Sequence, residues 1–462
     1  MSRANKLITL EVSGIDGGDR CDFAGETCAQ TELLEQARQA VVEPCTAPEA
    51  VERSYWSGVE SLPAEILEDY VQRRERSQLG RILQTARRLR DGVDRVVLLG
   101  GASWMWGGRI AQAAGCEPYF DQLTRAQRGG RLRLIFADYV WDNDALSGLI
   151  DLLVQGRSPD RWEDRWALLT LPDRQAERVM PPGWAALFHA WSDFYGRAGG
   201  SDGCVGLSPC GGPLATWAPV GAEAAESCRG LQVSGEFSLF SPAGLLPAAC
   251  LGLDVVRMLE GAARISDRFR SAPRGENPAW DYAAIAQRLA PQLAGGGRVL
   301  RLAEVALTTL GSWYTRLFER FEQAGVEVSL PRSVVATRDR LPPVPRDGRR
   351  LWLTDVTVDR VRCDPCCGQY RGDAERGSGA SGDRSSRLTE QAAGRLHEAL
   401  RPYQRGGVPI VRIRLPQLNA WTLGQLLQML MLATVVENLM QAAVCRKTSF
   451  PRTAAAGTGT AD

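Results

Sequence analysis

The sequence predicts an α/β fold with two domains, each a parallel sheet flanked by helices. Short apolar strands alternate with helical segments in two successive sets, which is typical of parallel strands joined by crossover helices. Between the sets, residues 196–230 are rich in Gly, Ser, Pro and Cys, and this composition predicts a domain boundary. At 462 residues the chain is also too long for a single compact core.

The first set follows an N-terminal extension of residues 1–60 and occupies residues 61–230. It begins with a highly charged segment over residues 63–90, which we expect to be helical. The remaining predicted elements are a strand at 94–101 (DRVVLLGG), a helix at 108–114, and strands at 131–136 (RLRLIF) and 166–171 (WALLTL).

The second set occupies residues 231–445. Its predicted elements are a helix at 244–260, a strand at 299–303, a helix at 313–324 and a strand at 407–415. Residues 373–387 (DAERGSGASGDRSSR) have low complexity and predict a mobile surface insertion. The tail, residues 446–462, is expected to be disordered.

Charge and hydropathy exclude several function classes. The 55 Lys and Arg residues nearly balance the 54 Asp and Glu residues, so no net field favours nucleic acid or an anionic membrane. The N-terminus lacks the long apolar run of a secretory signal. The most apolar stretch, residues 423–444, is interrupted by Gln425, Gln428, Glu437, Asn438 and Gln441, and it predicts a buried or amphipathic helix rather than a membrane span. We expect a cytoplasmic protein with neither nucleic acid nor membrane as a partner.

The cysteines and histidines give little support for a metal site. Of 12 cysteines, only Cys363, Cys366 and Cys367 cluster, whereas a structural zinc ion needs four ligands. The only histidines, His189 and His397, lie in other segments. We expect reduced thiols and neither a metal nor a cofactor, with a zinc or redox role for the cluster as the alternative.

Three stretches resemble the glucose-6-phosphate isomerase family, in the same order and at compatible spacing. Residues 96–109 (VVLLGGASWMWGGR) resemble the strand-to-helix turn V-x-G-I-G-G-S-x-x-G-x-R. Residues 234–254 (SGEFSLFSPAGLLPAACLGLD) resemble the signature that begins G-G-R-[FY]-S and continues into S-x-x-G-L-L-P. Residues 406–427 (GGVPIVRIRLPQLNAWTLGQLL) resemble the bacterial pattern G-G-V-P-x-x-x-I-x-[IV]-P-x-L-[DN]-x-[YF]-T-[FL]-G.

The resemblance spans roughly residues 60–445 and implies two sugar-isomerase domains, usually paired as a homodimer. It also implies the family reaction, the interconversion of glucose 6-phosphate and fructose 6-phosphate in glycolysis and gluconeogenesis. A phosphosugar is therefore the expected ligand, provided that the residues the reaction needs are present.

The resemblance indicates candidate substrate-binding residues at two turns. Backbone N–H groups at a helix N-terminus suit a phosphate dianion, and the first turn supplies Gly100, Gly101, Ser103, Gly107 and Arg109. The family's second loop, S-K-S-G-T-T-T-E, is replaced by residues 172–175 (PDRQ), which leaves only Thr170 and Arg174. The alternatives are a tightly packed strand-to-helix turn and a helix that begins at a proline.

The catalytic positions differ more from the family pattern. Glu236 occupies the position of the arginine in G-G-R-[FY]-S, where a cation would stabilise an enediolate. Arg320 matches the catalytic glutamate, which leaves Glu319 and Glu322 on either side as the tentative bases. No histidine lies near the position of the ring-opening histidine, and Lys447 has surroundings unlike those of the family's terminal lysine.

Two interpretations remain open from the sequence. The chain could be an active aldose–ketose isomerase that uses Glu319 or Glu322 as the base and Arg109 or Arg174 for the phosphate. It could instead be a pseudoenzyme that keeps the two domains as a binding or dimer-forming module. The five mismatches (arginine, glutamate, histidine, lysine and hydroxyl loop) favour the second interpretation, because a single alignment error would not produce them all.

Overall fold

The computed structural model describes residues 7–14, 28–43, 56–137, 142–171, 182–196, 204–207, 233–289, 297–302, 304–323, 333–337, 341, 344, 351–359 and 398–448. The predicted insertion at 373–387 and the Cys363, Cys366 and Cys367 cluster lie outside these ranges. The described chain forms two sheets flanked by helices, as the fold prediction requires.

The first half of the chain alternates strands with helices. In chain order its elements are β1 (Thr9–Ser13), α1 (Cys28–Val42), α2 (Leu62–Arg73), α3 (Gln78–Gly92), β2 (Arg95–Leu99), α4 (Trp106–Gly115), β3 (Arg133–Ala137), α5 (Asn143–Val154), β4 (Trp166–Thr170), α6 (Pro182–Tyr195) and β5 (Cys204–Gly206).

The second half opens with a short 3-10 helix, Gly235–Phe240, and continues with three successive helices before its first strand. Its elements are α7 (Pro242–Cys250), α8 (Val255–Ser271), α9 (Pro278–Leu289), β6 (Gly297–Leu302), α10 (Thr308–Gln323), β7 (Ser333–Thr337), β8 (Leu351–Val358), β9 (Ile410–Leu415) and α11 (Ala420–Thr448).

The first sheet has the order β3-β2-β4-β5, and all its strand pairs are parallel. Every residue of β2 and β4 is buried, because helices cover both faces of a parallel sheet. The carboxyl ends of β2 and β4 lie side by side, with Leu99 opposite Thr170. Ligands bind at this edge in parallel α/β sheets, so the fold brings the glycine turn to the expected place.

The second sheet has the order β1-β9-β8-β6-β7. Its strands are parallel except for β1, which pairs antiparallel with β9 and places Glu11 opposite Arg412. The sequence analysis assigned β1 to the N-terminal extension and did not predict it, because a short strand at a sheet edge has no long apolar run. The strand nevertheless covers one edge of the second sheet, which would otherwise expose unpaired backbone groups.

Two segments that were predicted as single helices are each divided in two. The charged run at residues 63–90 breaks at Arg74, which has φ 47°, and α3 restarts where the Ser77 hydroxyl accepts a hydrogen bond from Gly80 N. The run at 244–260 breaks at Gly252, with φ 78°, and the Asp254 carboxylate then caps α8. Helical periodicity alone does not reveal such breaks, since apolar spacing continues across them.

The C-terminal helix α11 is the central helix of the second half. One segment of it, Ala420–Gln441, has the length and composition of a membrane span, but 94% of its apolar window is buried inside the protein. Its polar residues bond to other segments: the Gln425 side chain accepts a hydrogen bond from Ile8 N, and the Gln428 amide donates to Val59 O. The prediction of a buried helix is confirmed. The helix extends to Thr448, beyond its predicted end at Cys445.

Candidate functional site

The glycine turn connects β2 to α4 through a single 3-10 turn, Ala102–Met105. Gly100 has φ +155°, and a Cβ atom added there would lie 2.7 Å from the Leu171 Cβ. A side chain is therefore excluded at Gly100, because β2 and β4 end close together and the chain turns sharply between them.

The same turn packs against the start of the second half of the chain. A Cβ atom on Gly107 would lie 2.5 Å from the Gly244 Cα, and one on Gly235 would lie 2.4 Å from the Ser103 Oγ. Close backbone approach between α4 and α7 thus accounts for Gly107 and Gly244. This packing supports the alternative in which glycines of the turn serve the contact between elements rather than an anion.

Glu236 lies in the 3-10 helix that contacts this turn. Its backbone carbonyl also accepts a hydrogen bond from a residue of α10. The Trp313 indole Nε1 donates a hydrogen bond of 2.8 Å to the Glu236 carbonyl oxygen, and Trp313 is fully buried on α10. The fold therefore brings together the glycine turn, Glu236 and α10. These three elements define the candidate cleft.

Thr170 and Arg109 lie beside the glycine turn, and both have protein partners. The buried Thr170 hydroxyl donates to the Val205 carbonyl oxygen at 3.4 Å, which ties β4 to β5. The Arg109 guanidinium carbon stands 4.6 Å from the centre of the Phe136 ring, in a cation–π contact. Arg174 lies outside the part of the chain that the structure describes.

The candidate base Glu319 lies on α10 but not on the side that faces Glu236. It pairs with Arg316 one turn earlier, and 38% of its side chain is exposed. Trp313 precedes Glu319 by six positions, which on a helix turns the two side chains about 120° apart. The solvated ion pair agrees with the alternative interpretation of this segment as a solvated helix face. Glu322 lies on the same helix, but its side chain is outside the described set.

The histidines do not contribute to the described part of the cleft. His189 is exposed on α6, which packs on the outer face of the first sheet. His397 falls outside the described residues, and Lys447 lies on the last turn of α11, where side chains are not described. Neither Gly235–Phe240 nor Thr308–Gln323 contains a histidine.

Within the described residues no group of three or more His, Cys, Asp and Glu side chains could hold a metal ion. Two buried cysteines, Cys116 and Cys250, are not joined in disulfides. Burial raises the pKa of the Cys250 thiol to about 12, so it stays protonated at neutral pH and is a poor nucleophile.

Behind the cleft lies a buried polar cluster that the sequence analysis missed. Arg298 on β6 donates to the Glu437 carboxylate at 2.6 Å and to the Tyr314 hydroxyl at 2.8 Å. Its guanidinium carbon also lies 4.5 Å from the centre of the Trp352 ring. The signal was present in the sequence as charged residues inside otherwise apolar elements, GRVLRL for β6 and LATVVENLM within α11.

Comparisons with known proteins find similarity to glucose-6-phosphate isomerases. No family model matches the chain. It is 26% identical over 381 residues to the glucose-6-phosphate isomerase of Symbiobacterium thermophilum, covering 80% of this chain and 81% of that protein. It is 28% identical over 200 residues to the glucose-6-phosphate isomerase of Bacillus thuringiensis, covering 42% and 43%.

Two solved structures share the fold. A hypothetical protein from Thermus thermophilus superposes with a TM-score of 0.68 at 18% identity, covering 96% of this chain and 99% of that one. A glucose-6-phosphate isomerase from Chlamydia trachomatis superposes with a TM-score of 0.61 at 12% identity, covering 92% and 86%. The chain is thus similar in sequence to glucose-6-phosphate isomerases, and it shares the α/β fold of two helix-flanked sheets with these two structures.

Proposed function

We propose that this chain keeps the two-domain scaffold of glucose-6-phosphate isomerases without catalysing the interconversion of glucose 6-phosphate and fructose 6-phosphate. The observation that carries the proposal is the position of Glu236. The segment Gly235–Phe240 contains Glu236 and neither lysine nor arginine, and the hydrogen bond from Trp313 to the Glu236 carbonyl places this segment against α10.

The electrostatics of this position oppose the reaction. An enediolate-like transition state gains negative charge, and a cation facing it would lower the barrier. The carboxylate of Glu236 raises that barrier instead, because like charges repel at short range. The same repulsion would weaken the binding of a phosphosugar dianion near Gly235–Phe240.

The other candidate residues also have contacts that do not require a substrate. Thr170 donates its hydroxyl to a backbone carbonyl, Arg109 stacks on Phe136, and Glu319 pairs with Arg316 on a solvated face. Close backbone contact explains Gly107. The scaffold itself is well supported, since buried apolar residues run continuously from the first half of the chain to the second. Because these contacts leave no described residue assigned to catalysis, we propose that the chain acts as a cytoplasmic binding or dimer-forming module.

The test is a coupled assay for conversion of fructose 6-phosphate to glucose 6-phosphate, made on protein shown to be folded by circular dichroism and sized by light scattering. Glu319→Gln and Glu322→Gln serve as comparison variants. We expect all three proteins to give the rate of the buffer blank, and Glu236→Arg to increase retention on a phosphosugar column. A wild-type rate well above the blank that disappears in one glutamine variant would refute the proposal.

The second candidate function is an active aldose–ketose isomerase with displaced residues. The observation that favours it is the identity of 26% to a curated isomerase over four fifths of the chain. In that case Glu319 or Glu322 would act as the base, and the assay would show saturation with fructose 6-phosphate. The same experiment thus separates the two functions, because only this candidate predicts turnover that depends on one glutamate.

A further inference from the structure

Arg95 is a buried cation at the opposite edge of the first sheet from the glycine turn. It is the first residue of β2, and only 9% of the residue is exposed. Its Nη1 atom has no hydrogen-bond partner among the described residues. A buried guanidinium nitrogen without an acceptor costs free energy, so the site calls for an acceptor that the described chain does not supply.

The carboxylates nearest to Arg95 are already occupied by other arginines. Asp94 lies 2.5 Å from Arg128 and 2.5 Å from Arg133 through its two oxygens. Asp164 likewise holds Arg157 at 2.9 Å and Arg161 at 3.6 Å. Arg125 also lies 4.0 Å from Asp94, and Arg161 pairs with Glu163 at 3.2 Å. With Arg95 there are six guanidiniums for three carboxylates, and Arg95 is the one that forms no ion pair with the described residues.

Burial and the neighbouring charges both act on the pKa of Arg95. Burial lowers the pKa of the Arg95 guanidinium, and the charge of Arg157 lowers it further, against the attraction of Asp94. Arginine nevertheless stays protonated in proteins, because its ordinary pKa is far above neutrality. An anion at this place would relieve both the desolvation and the repulsion.

A second hydrogen-bond donor without a partner lies beside Arg95. Trp166 stands directly opposite Arg95 in the parallel pairing of β2 with β4, and its Nε1 is buried without an acceptor among the described residues. The Trp166 ring also packs against Phe194 of α6, with the two ring centroids 6.2 Å apart.

We propose that Arg95 and Trp166 form a binding site for a small oxoanion of the phosphate or sulfate class, between the first sheet and α6. Both side chains offer only donors, and an oxoanion carries several acceptor oxygens that a planar guanidinium can bind in pairs. A chloride ion offers no such pairing. The site is separate from the candidate cleft, which lies at the carboxyl ends of the strands.

The experiment measures the thermal midpoint of the full chain in sodium phosphate, sulfate and chloride at constant ionic strength. Three proteins are compared: wild type, Arg95→Met, and Arg87→Met as a control on a side chain that is 81% exposed. We expect low-millimolar phosphate to raise the midpoint of the wild type and of Arg87→Met by several degrees, and to leave Arg95→Met unchanged. Without phosphate, Arg95→Met should melt no lower than the wild type, because it removes an uncompensated charge.

A second measurement covers the case in which Arg95→Met does not fold. Trp166→Phe keeps the aromatic packing and removes one donor, so isothermal titration with phosphate should give a dissociation constant several-fold weaker than in the wild type. Equal stabilisation by chloride and phosphate, or a phosphate response that survives Arg95→Met, would overturn the proposal. So would unchanged phosphate affinity in Trp166→Phe.

Discussion

Arg298 Nη2 lies 2.6 Å from Glu437 Oε2, and both side chains are shielded from solvent. The pair joins β6 of the second sheet to the core helix α11. On the other side of Arg298, the Tyr314 hydroxyl accepts a hydrogen bond and so attaches α10, whose next residue toward the N-terminus, Trp313, holds Glu236. The cleft is thus connected to the core of the second half through one guanidinium.

Glu437→Leu should destabilise the protein strongly, because it leaves Arg298 buried without its counter-charge. Breaking a buried pair from one side costs about 3–5 kcal/mol. The double variant Arg298→Met with Glu437→Leu should lose much less, since apolar side chains of similar size replace the pair. Urea unfolding, monitored by tryptophan fluorescence, measures the loss of stability in both variants. A loss below about 1 kcal/mol in the single variant would contradict the assigned role.

We expect the carboxyl group of Asp281 to contribute to the unfolding free energy in a way that depends on pH in the acidic range. Burial raises its pKa to about 6 from an ordinary 3.8, against the hydrogen bonds donated by Gly275 N and Asn277 N. Because the folded state favours the protonated carboxyl, the contribution is full below pH 3.8 and is lost as the pH rises through about 6.

The measurement is the difference in unfolding free energy between the wild type and Asp281→Asn from pH 3.5 to 7. The unfolding free energy of the wild type should fall relative to that of the variant by roughly 3 kcal/mol across that window, since one pKa unit corresponds to about 1.4 kcal/mol. Asp91→Asn, on a side chain that is 74% exposed, is the control and should show no such trend. A constant difference for Asp281→Asn would contradict the raised pKa.

Gly107→Ala should weaken the contact between α4 and α7. The added methyl group would lie 2.5 Å from the Gly244 Cα, so the two helices must separate. Overpacking of this kind costs about 1–3 kcal/mol. Gly148→Ala, at an open helical position with no atom within 4 Å, should instead be neutral or stabilising by up to about 1 kcal/mol. Equal effects of the two substitutions in thermal unfolding would argue against the close contact.

Removal of residues 1–14 should destabilise the second sheet. The deletion removes β1, exposes the backbone edge of β9, and takes away the hydrogen bond from Ile8 N to Gln425. We expect a lower thermal midpoint and concentration-dependent light scattering, because exposed strand edges associate. Glu11→Gln is the control: it breaks the partly exposed pair with Arg414 and should cost less than about 1 kcal/mol. A deletion no more harmful than Glu11→Gln would refute the structural role of β1.

Several elements could be predicted from the sequence because their signals are local. The strands β2 and β4 are short apolar runs, and α11 is an apolar helix with polar residues at wide spacing. The strands β7 and β8 were missed, since they pair with segments that lie far away in the sequence. For the candidate site, the sequence indicated which residues replace the family pattern, although their contacts were not predictable.

The sequence by itself determined the α/β class, the two sets of strands and helices, and the resemblance to glucose-6-phosphate isomerases, and it led to the prediction that Glu236 takes the position of an arginine. Periodicity and motif spacing carry that information along the chain. Only the tertiary structure decided that Trp313 anchors Glu236, that Glu319 faces solvent beside Arg316, and that Arg95 is buried without an acceptor. These facts depend on contacts between residues far apart in sequence, and such contacts arise only when helices pack on the sheets.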